Sequence, residues 1–162
     1  MSRALVVYYS RTGNTEKMAA RIAAGLDQSG LTADLKKVEE TTPSDLLRYD
    51  LLVLGSPVYY GTMAWPLKKL LDESVKHHGK LKGKVGGAFT SSGNRAGGNE
   101  TTVLDILKAL LIHGMIVQGD HRGDHFGPAA VGKPDARALR SCDQYAAKLA
   151  ELTKRLFPDP AV

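Results

Sequence analysis

Five short candidate strands alternate along the chain with segments of helical periodicity, and this alternation restricts the possible folds most strongly. Four of them are apolar runs at residues 5–9, 50–55, 84–90 and 115–119, the segment at residues 32–38 is predicted as a partly exposed strand, and a shorter candidate strand occupies residues 128–132. Parallel strands are joined through crossovers of a dozen or more residues, which are right-handed and usually helical. The sequence therefore predicts an open, doubly wound α/β fold around a parallel sheet.

The segments between the apolar runs predict the helices. Apolar residues recur there at helical spacing, and Gly30 follows the first such segment as a stop signal. The single cysteine, Cys142, lies on the apolar side of the last segment and is interpreted as a packed core residue. Helices are expected at residues 18–26, 44–48, 66–71, 103–111 and 135–156.

Length and composition favour one ordinary domain, taken as residues 1–162. The chain is 43% hydrophobic and 24% charged, which is the balance of a globular protein. It has no run of about 18 apolar residues, and the N-terminal apolar stretch is too short for a signal peptide. A cytoplasmic location without membrane insertion is expected. The net charge is +5, but the basic residues are scattered, so an anionic small molecule is favoured over a nucleic acid as partner.

The first candidate site is the polar stretch between the first strand and the first helix. It combines hydroxyl and amide side chains with a glycine, directly before unpaired helical N–H groups that favour an anion. The chain lacks the lysine-bearing loop of triphosphate sites and the three-glycine loop of dinucleotide sites. A phosphate monoester is therefore favoured, with a simple helix cap as the alternative. The residues are Ser10, Arg11, Thr12, Gly13, Asn14 and Thr15.

Two further loops follow strands of the same predicted sheet. Ligands of such sheets bind beyond the carboxyl ends of the strands, so the three loops are expected to meet there. The loop at residues 55–66 carries Tyr59, Tyr60 and Trp65, which suit stacking on a flat ligand or, alternatively, covering the sheet or a subunit interface. The loop at residues 91–98 is rich in glycine and serine. Together the three loops predict a phosphate site with a planar ring extending from it, which matches the shape of FMN.

These segments resemble the flavin-site motifs of WrbA-type NAD(P)H:quinone oxidoreductases, within the flavodoxin-like superfamily. The motifs are "YYSRTGNTEKMA", "GSPVYYGTMAWPLKKLLD" and "FTSSGNRAGGNETT" with "HGMIV" downstream, and the likeness runs over residues 5–119. The resemblance implies a three-layer sandwich with a five-stranded parallel sheet of order 2-1-3-4-5. It also implies noncovalent FMN, NAD(P)H as co-substrate, a quinone-like acceptor, and a homodimer or homotetramer.

The resemblance also assigns cofactor contacts by position. The FMN phosphate would bind residues 10–15, the ring system would lie against Val58, Tyr59 and Tyr60, and its pyrimidine side would face residues 91–98. The chain departs from the family at Ile112-His113-Gly114, where many members have two histidines. Besides residues 10–15, the implied contacts are Pro57, Val58, Tyr59, Tyr60, Gly61, Ser91, Ser92, Gly93, Asn94, Gly97 and Gly98.

The sequence favours an enzyme that passes hydride from NAD(P)H through FMN to a quinone or similar small acceptor. The flavin carries that chemistry, so no catalytic side chain is assigned. His113 and His125 are candidates for the pocket or for a neighbouring subunit's site, and no metal site is expected. The alternatives are a one-electron carrier and a flavin-binding module without turnover. Carrier flavodoxins are acidic as a family, whereas this chain is basic.

Overall fold

The computed structural model describes residues 2–158, and its helices and strands alternate as the sequence predicts. The described strands are β1 (Arg3–Tyr8), β2 (Thr32–Lys37), β3 (Leu51–Tyr59), β4 (Thr62–Met63), β5 (Val85–Ser92), β6 (Ile116–Val117) and β7 (Ala129–Val131). The described α-helices are α1 (Asn14–Gln28), α2 (Trp65–Glu73), α3 (Asn99–Ile112) and α4 (Ala136–Leu156). Residues 1 and 159–162, which belong to the predicted domain of residues 1–162, lie outside the described part.

The main strands pair in parallel in the order β2-β1-β3-β5-β6, which confirms the predicted order 2-1-3-4-5. One face of the sheet packs against α1 and α4, and the other packs against α2 and α3. The protein is therefore a three-layer sandwich. Within residues 2–158, none of the helices combines the length and apolar character that crossing a membrane requires.

The fifth strand position is shared by two short strands, so the single strand predicted at residues 115–119 is wrong in its extent. Strand β6 pairs with the start of β5, and β7 pairs with its end. The short strand expected at residues 128–132 is confirmed as β7. Between the two, the chain leaves the sheet over residues 118–128. The amide of Ala88, opposite this gap, donates at 3.0 Å to the hydroxyl of Tyr145, whose burial raises its pKa to about 12.

Strand β3 extends beyond its predicted end at Gly55, because the next residues pair on both sides. Pro57 lies in register with Ser91 of β5, and Val58 and Tyr59 pair with β4 in an antiparallel hairpin. The sequence predicts a loop for this segment because it contains Gly-Ser-Pro. A smaller correction concerns residues 44–48, where a 3₁₀ turn at Asp45–Arg48 replaces the expected short helix.

The centre of the sheet depends on a close contact between β3 and β5. Gly55 and Phe89 are register partners, and Phe89 is fully buried. A Cβ atom on Gly55 would lie 2.0 Å from Cζ of the Phe89 ring. Cys142 is also fully buried in α4, where burial raises the pKa of its thiol to about 12, as expected for a packed core cysteine.

We predict that Gly55→Ala lowers the free energy of unfolding by about 3 kcal/mol, because the added methyl group overlaps a ring that has no space to move. The control is Gly119→Ala, whose Cβ would meet its nearest atom at an ordinary 3.5 Å. Urea denaturation of both variants measures the difference. Equal stability of the two variants would contradict the packing described here.

Candidate functional site

The loops that follow β1, β3 and β5 meet at the carboxyl ends of those strands, around a cavity of about 400 Å³. We call it the first cavity. All three are the candidate ligand-binding loops that the sequence predicts, and the parallel sheet brings them together. The first cavity is lined by Arg11, Thr12, Asn14, Pro57, Val58, Tyr59, Ser91, Ser92, Gly93 and Gly132.

The loop after β1 ends at the amino terminus of α1. Gly13 caps the helix with φ +91°, in the left-handed region where a side chain would be strained. Its amide donates at 3.1 Å to the hydroxyl oxygen of Ser10, which holds the loop in its turn. Arg11 and Thr12 are exposed beside the first cavity. Unpaired N–H groups, a hydroxyl and a guanidinium therefore surround one end of it, which suits an anion.

Thr15 does not face the ligand space. It is buried, and its hydroxyl lies 2.9 Å from that of Ser91 at the end of β5. This hydrogen bond ties the first loop to the third. Beneath the same loop, the hydroxyl of Tyr8 donates at 2.7 Å to Glu16, and burial together with this bond raises the pKa of Tyr8 to about 12.

The β3–β4 hairpin forms a second wall of the first cavity. Val58 and Tyr59 line it, and the ring of Tyr59 lies 6.4 Å from that of Tyr9 between centroids. The turn at Tyr60 and Gly61 has positive φ at both residues, +48° and +80°. Tyr60 is fully exposed at the tip of the hairpin. A large aromatic side chain held in this backbone conformation is uncommon and points to a role outside the core.

The hairpin is held against the start of α3. A Cβ on Gly98 would lie 2.7 Å from Cα of Gly61 and 2.9 Å from Cγ1 of Val58, so only glycine permits this approach. The hydroxyl of Thr101 donates to the carbonyl oxygen of Gly61 at 2.5 Å, and that of Thr62 donates to Asp105 at 2.6 Å. Gly98 thus positions the second wall and does not line the first cavity.

The remaining residues of the third loop turn away from the sheet. The hydroxyl of Ser92 donates at 2.9 Å to the carbonyl oxygen of Asn94, and the amide of Gly97 donates to the same oxygen at 3.2 Å. Gly93 lines the first cavity, whereas Asn94 and Gly97 do not. The start of the third loop therefore faces the first cavity, and the rest of the loop lies outside it.

Sequence reasoning missed Gly132. It follows β7, lines the first cavity, and its amide donates at 2.7 Å to the carbonyl oxygen of Ser92. The sequence gives one indication of Gly132, which is the candidate strand at residues 128–132. A parallel strand there ends at the same edge of the sheet as the three loops, so the residue at its end lies near them.

The structure does not bring Trp65 or the two histidines into the first cavity. Trp65 is exposed at the start of α2 and lines a different depression beside Val38. His113 caps the far end of α3, about 20 Å along the helix from the sheet edge that carries the site. His125 lines a second cavity of about 540 Å³, on the other side of the third loop.

His113 is instead part of the packing between α2 and α3. It is 7% exposed, its Nε2 lies 2.7 Å from the hydroxyl oxygen of Ser74, and its Nδ1 has no partner among the described residues. Burial lowers the pKa of His113 below its ordinary value, and the nearby His78 and His77 lower it further. The imidazole is therefore neutral near pH 7.

The first cavity thus offers an anion site at one end and aromatic and aliphatic side chains along the other. Such an arrangement suits a planar ring with a phosphate attached. Within residues 2–158, no group of three or more His, Cys, Asp and Glu side chains is close enough together to hold a metal ion.

Comparison with known proteins gives matches in both sequence and structure. The family model described as a flavodoxin domain matches residues 5–113. A flavodoxin of Aquifex aeolicus is 37% identical over 160 residues, which cover 93% of this chain and 86% of that protein. An NAD(P)H dehydrogenase (quinone) of Archaeoglobus fulgidus is 30% identical over 190 residues, covering 96% of this chain and all of that protein.

Solved structures give the same result. A flavodoxin, WrbA-like protein from Agrobacterium tumefaciens superposes with a TM-score of 0.81 at 26% identity, covering 96% of this chain and 99% of that one. A flavodoxin from the domain Archaea superposes with a TM-score of 0.77 at 26% identity, covering 94% of this chain and 99% of that one.

We predict that His113 makes the protein sensitive to mild acid. Because its pKa is lowered in the folded state, the unfolded chain binds the proton first, and stability falls as the pH drops below about 6.5. The slope from this group is at most about 1.4 kcal/mol per pH unit. In His113→Gln the free energy of unfolding, measured by urea titration between pH 7.5 and 5, should fall less steeply.

The control for this prediction is His121→Gln, because the side chain of His121 is 82% exposed. That variant should keep the steeper dependence of the original protein. If His113→Gln and His121→Gln gave the same dependence, the neutral, buried state of His113 would be wrong.

Proposed function

The chain belongs to the flavodoxin family, and from that premise we propose that it binds FMN noncovalently and transfers hydride from NAD(P)H to a quinone or similar small acceptor. In the balanced reaction NAD(P)H loses a hydride, and the acceptor gains two electrons and two protons, one of them from solvent. Bound FMN would supply the capacity to accept a hydride and pass its electrons on. The protein supplies binding and orientation.

The observation that carries this proposal is the convergence of the three loops on the first cavity. Its anion end, formed by Arg11, Thr12 and the amino terminus of α1, suits the FMN phosphate. The absence of a P-loop lysine suits a monoester better than a triphosphate. All the residues assigned to FMN from the sequence remain part of this proposal, some as contacts and others, such as Thr15 and Gly98, as supports for the loops.

The walls of the first cavity orient the ring. Val58 and Tyr59 would lie against it from the hairpin, and the backbone of Ser92 and Gly93 would approach its polar edge. The tip of the hairpin packs closely on Gly98, and the hydroxyl of Thr101 donates to the carbonyl oxygen of Gly61 there. The third loop carries no aromatic side chain that could close over the ring. One face of the ring would therefore stay open to a substrate.

A one-electron carrier is the alternative function, and the Aquifex aeolicus flavodoxin supports it. Charge favours the enzyme, because this chain carries a net charge of +5, whereas carrier flavodoxins use an acidic face to reach their partners. Nicotinamide dinucleotides are anionic, so a basic protein attracts them. The relatives named NAD(P)H dehydrogenase (quinone) support the same choice.

Self-association into a homodimer or homotetramer is also part of the proposal. The outward side of α3 exposes apolar residues, with Leu111 55% and Ile112 72% exposed. Adjacent large apolar side chains at the surface often mark a contact with another chain. Sedimentation equilibrium of the protein should give at least twice the monomer mass of 17.4 kDa.

The decisive experiment is anaerobic. We expect NADH or NADPH to bleach the flavin absorbance of the FMN-loaded protein, and a benzoquinone to restore it. No bleaching by either nucleotide, with reduction by dithionite in two separated one-electron steps, would support the carrier.

A second prediction tests the phosphate site itself. Replacing Gly13 by valine should weaken FMN binding about 100-fold and riboflavin binding less than threefold, because the strained loop would lose its N–H contacts to the phosphate that riboflavin lacks. Fluorescence titration of both flavins measures this. Gly79→Val is the matched control, since Gly79 also has positive φ and no atom within 4 Å of a Cβ, but lies outside the first cavity. Equal weakening of both flavins would contradict the phosphate site.

A further inference from the structure

The second cavity lies beside the first and shares a wall with it. The third loop separates them: Ser91, Ser92 and Gly93 face the first cavity, and Arg95 and Ala96 face the second. The opposite wall of the second cavity is the segment of residues 118–128 that interrupts the fifth strand, together with β7. Its volume of about 540 Å³ is sufficient for a compound of one or two rings.

The wall formed by residues 118–128 is fixed to α4. Asp124 forms an ion pair with Arg137 and accepts a hydrogen bond from the hydroxyl of Ser141 at 2.7 Å. Lys148 pairs with Asp120 at 3.1 Å. This wall of the second cavity is therefore built into the fold, since α4 of the sandwich holds it.

Its surface is mainly apolar. Phe126 and Val131 are 42% and 47% exposed although they are large hydrophobic residues, and both face this space. Val103 and Ala129 complete the apolar lining. An exposed phenylalanine ring beside aliphatic side chains suits a flat aromatic ligand.

The polar groups at its rim balance one another. Arg95 and Arg137 contribute two positive charges, Glu100 and Asp124 contribute two negative charges, and Asp124 is already paired. The lining therefore has no excess charge that would select an anion. A neutral ring with polar substituents matches it better.

Two hydrogen-bond acceptors at the cavity favour hydroxyl substituents. Nδ1 of His125 donates to the carbonyl oxygen of Asp120 at 2.8 Å, so in the neutral imidazole Nε2 is an acceptor. Oδ1 of Asn99 is buried and has no hydrogen-bond partner among the described residues. Asn99 lines the cavity, and the last torsion of its amide has a broad energy profile, so the oxygen can turn to accept from a donor there. The guanidinium of Arg95 can donate to the same hydroxyl oxygen.

We propose that the second cavity binds a neutral, planar aromatic ring with hydroxyl groups at its edges, the hydroquinone class, stacked on Phe126 and hydrogen-bonded to Asn99. This site is separate from the open face of the flavin. The identification of its ligand as the reduced product of the acceptor rests on the proposed function. The binding itself does not.

The test uses 2,7-dihydroxynaphthalene, a two-ring diol, as the probe and 2,7-dimethoxynaphthalene as its non-donating counterpart. Calorimetric titration of the FMN-loaded protein should show one site that prefers the diol about tenfold, since the ether leaves the acceptors unpaired. Asn99→Ala should abolish this preference, and Phe126→Ala should weaken both compounds about tenfold. Trp65→Ala, an exposed aromatic outside both cavities, should change neither.

Several results would overturn the proposal. These are no binding, equal affinity for the diol and the ether, competition between the diol and FMN, or loss of binding in Trp65→Ala. The titrations need no nucleotide, so failure of NAD(P)H to reduce the flavin would leave them intact and would count against the proposed function alone. If reduction occurs, Phe126→Ala should leave both the KM for the quinone and the rate of flavin reduction by NAD(P)H unchanged, because the second cavity is separate from the open face of the flavin.

Discussion

Parallel pairing of β1, β3 and β5 is the constraint on which the rest of the structure depends. Tyr8, Gly55 and Phe89 lie side by side in the register of these strands, so the strands end at one edge of the sheet. The three following loops therefore leave the sheet at that edge, although β3 and β5 continue three to four residues past the end of β1. The buried hydrogen bond between Thr15 and Ser91 is possible only because of this register, and it fixes two of the loops relative to each other. A site assembled from three distant parts of the sequence follows from strand pairing alone.

Much of the fold could be predicted because its signals are local. Apolar runs, helical periodicity and turn residues predict the order of elements, and the crossover rule then restricts the topology. The boundaries that failed depend on contacts between distant residues. Strand β3 continues through Gly-Ser-Pro because β5 and β4 supply partners for it, and β6 ends early because residues 118–128 are drawn to α4 by Asp120 and Asp124. Neither partner can be identified from the strand's own residues.

The site shows the same division. Residues 10–15 and 91–93 were recognisable from their composition and their place after strands. The sequence does not show which loop residues contact the ligand and which support the loops, because that depends on side-chain direction. Thr15 points into the core, and Gly98 touches the hairpin. His113 was a candidate because of its neighbours in sequence, yet the length of α3 places it at the opposite end of the molecule. Gly132 could be recognised only once β7 was seen to complete the edge.

The divided fifth strand has a consequence for how this protein behaves among other chains. A long, unbroken outer strand offers a row of free main-chain groups on which another polypeptide can build, the first step toward sheet-like aggregates. Here that border consists of stretches of two and three residues, separated by a segment that turns away. The opposite border, β2, ends in the adjacent lysines Lys36 and Lys37. Both edges of the sheet are thus poor templates for pairing with a strand of another chain, even at high protein concentration.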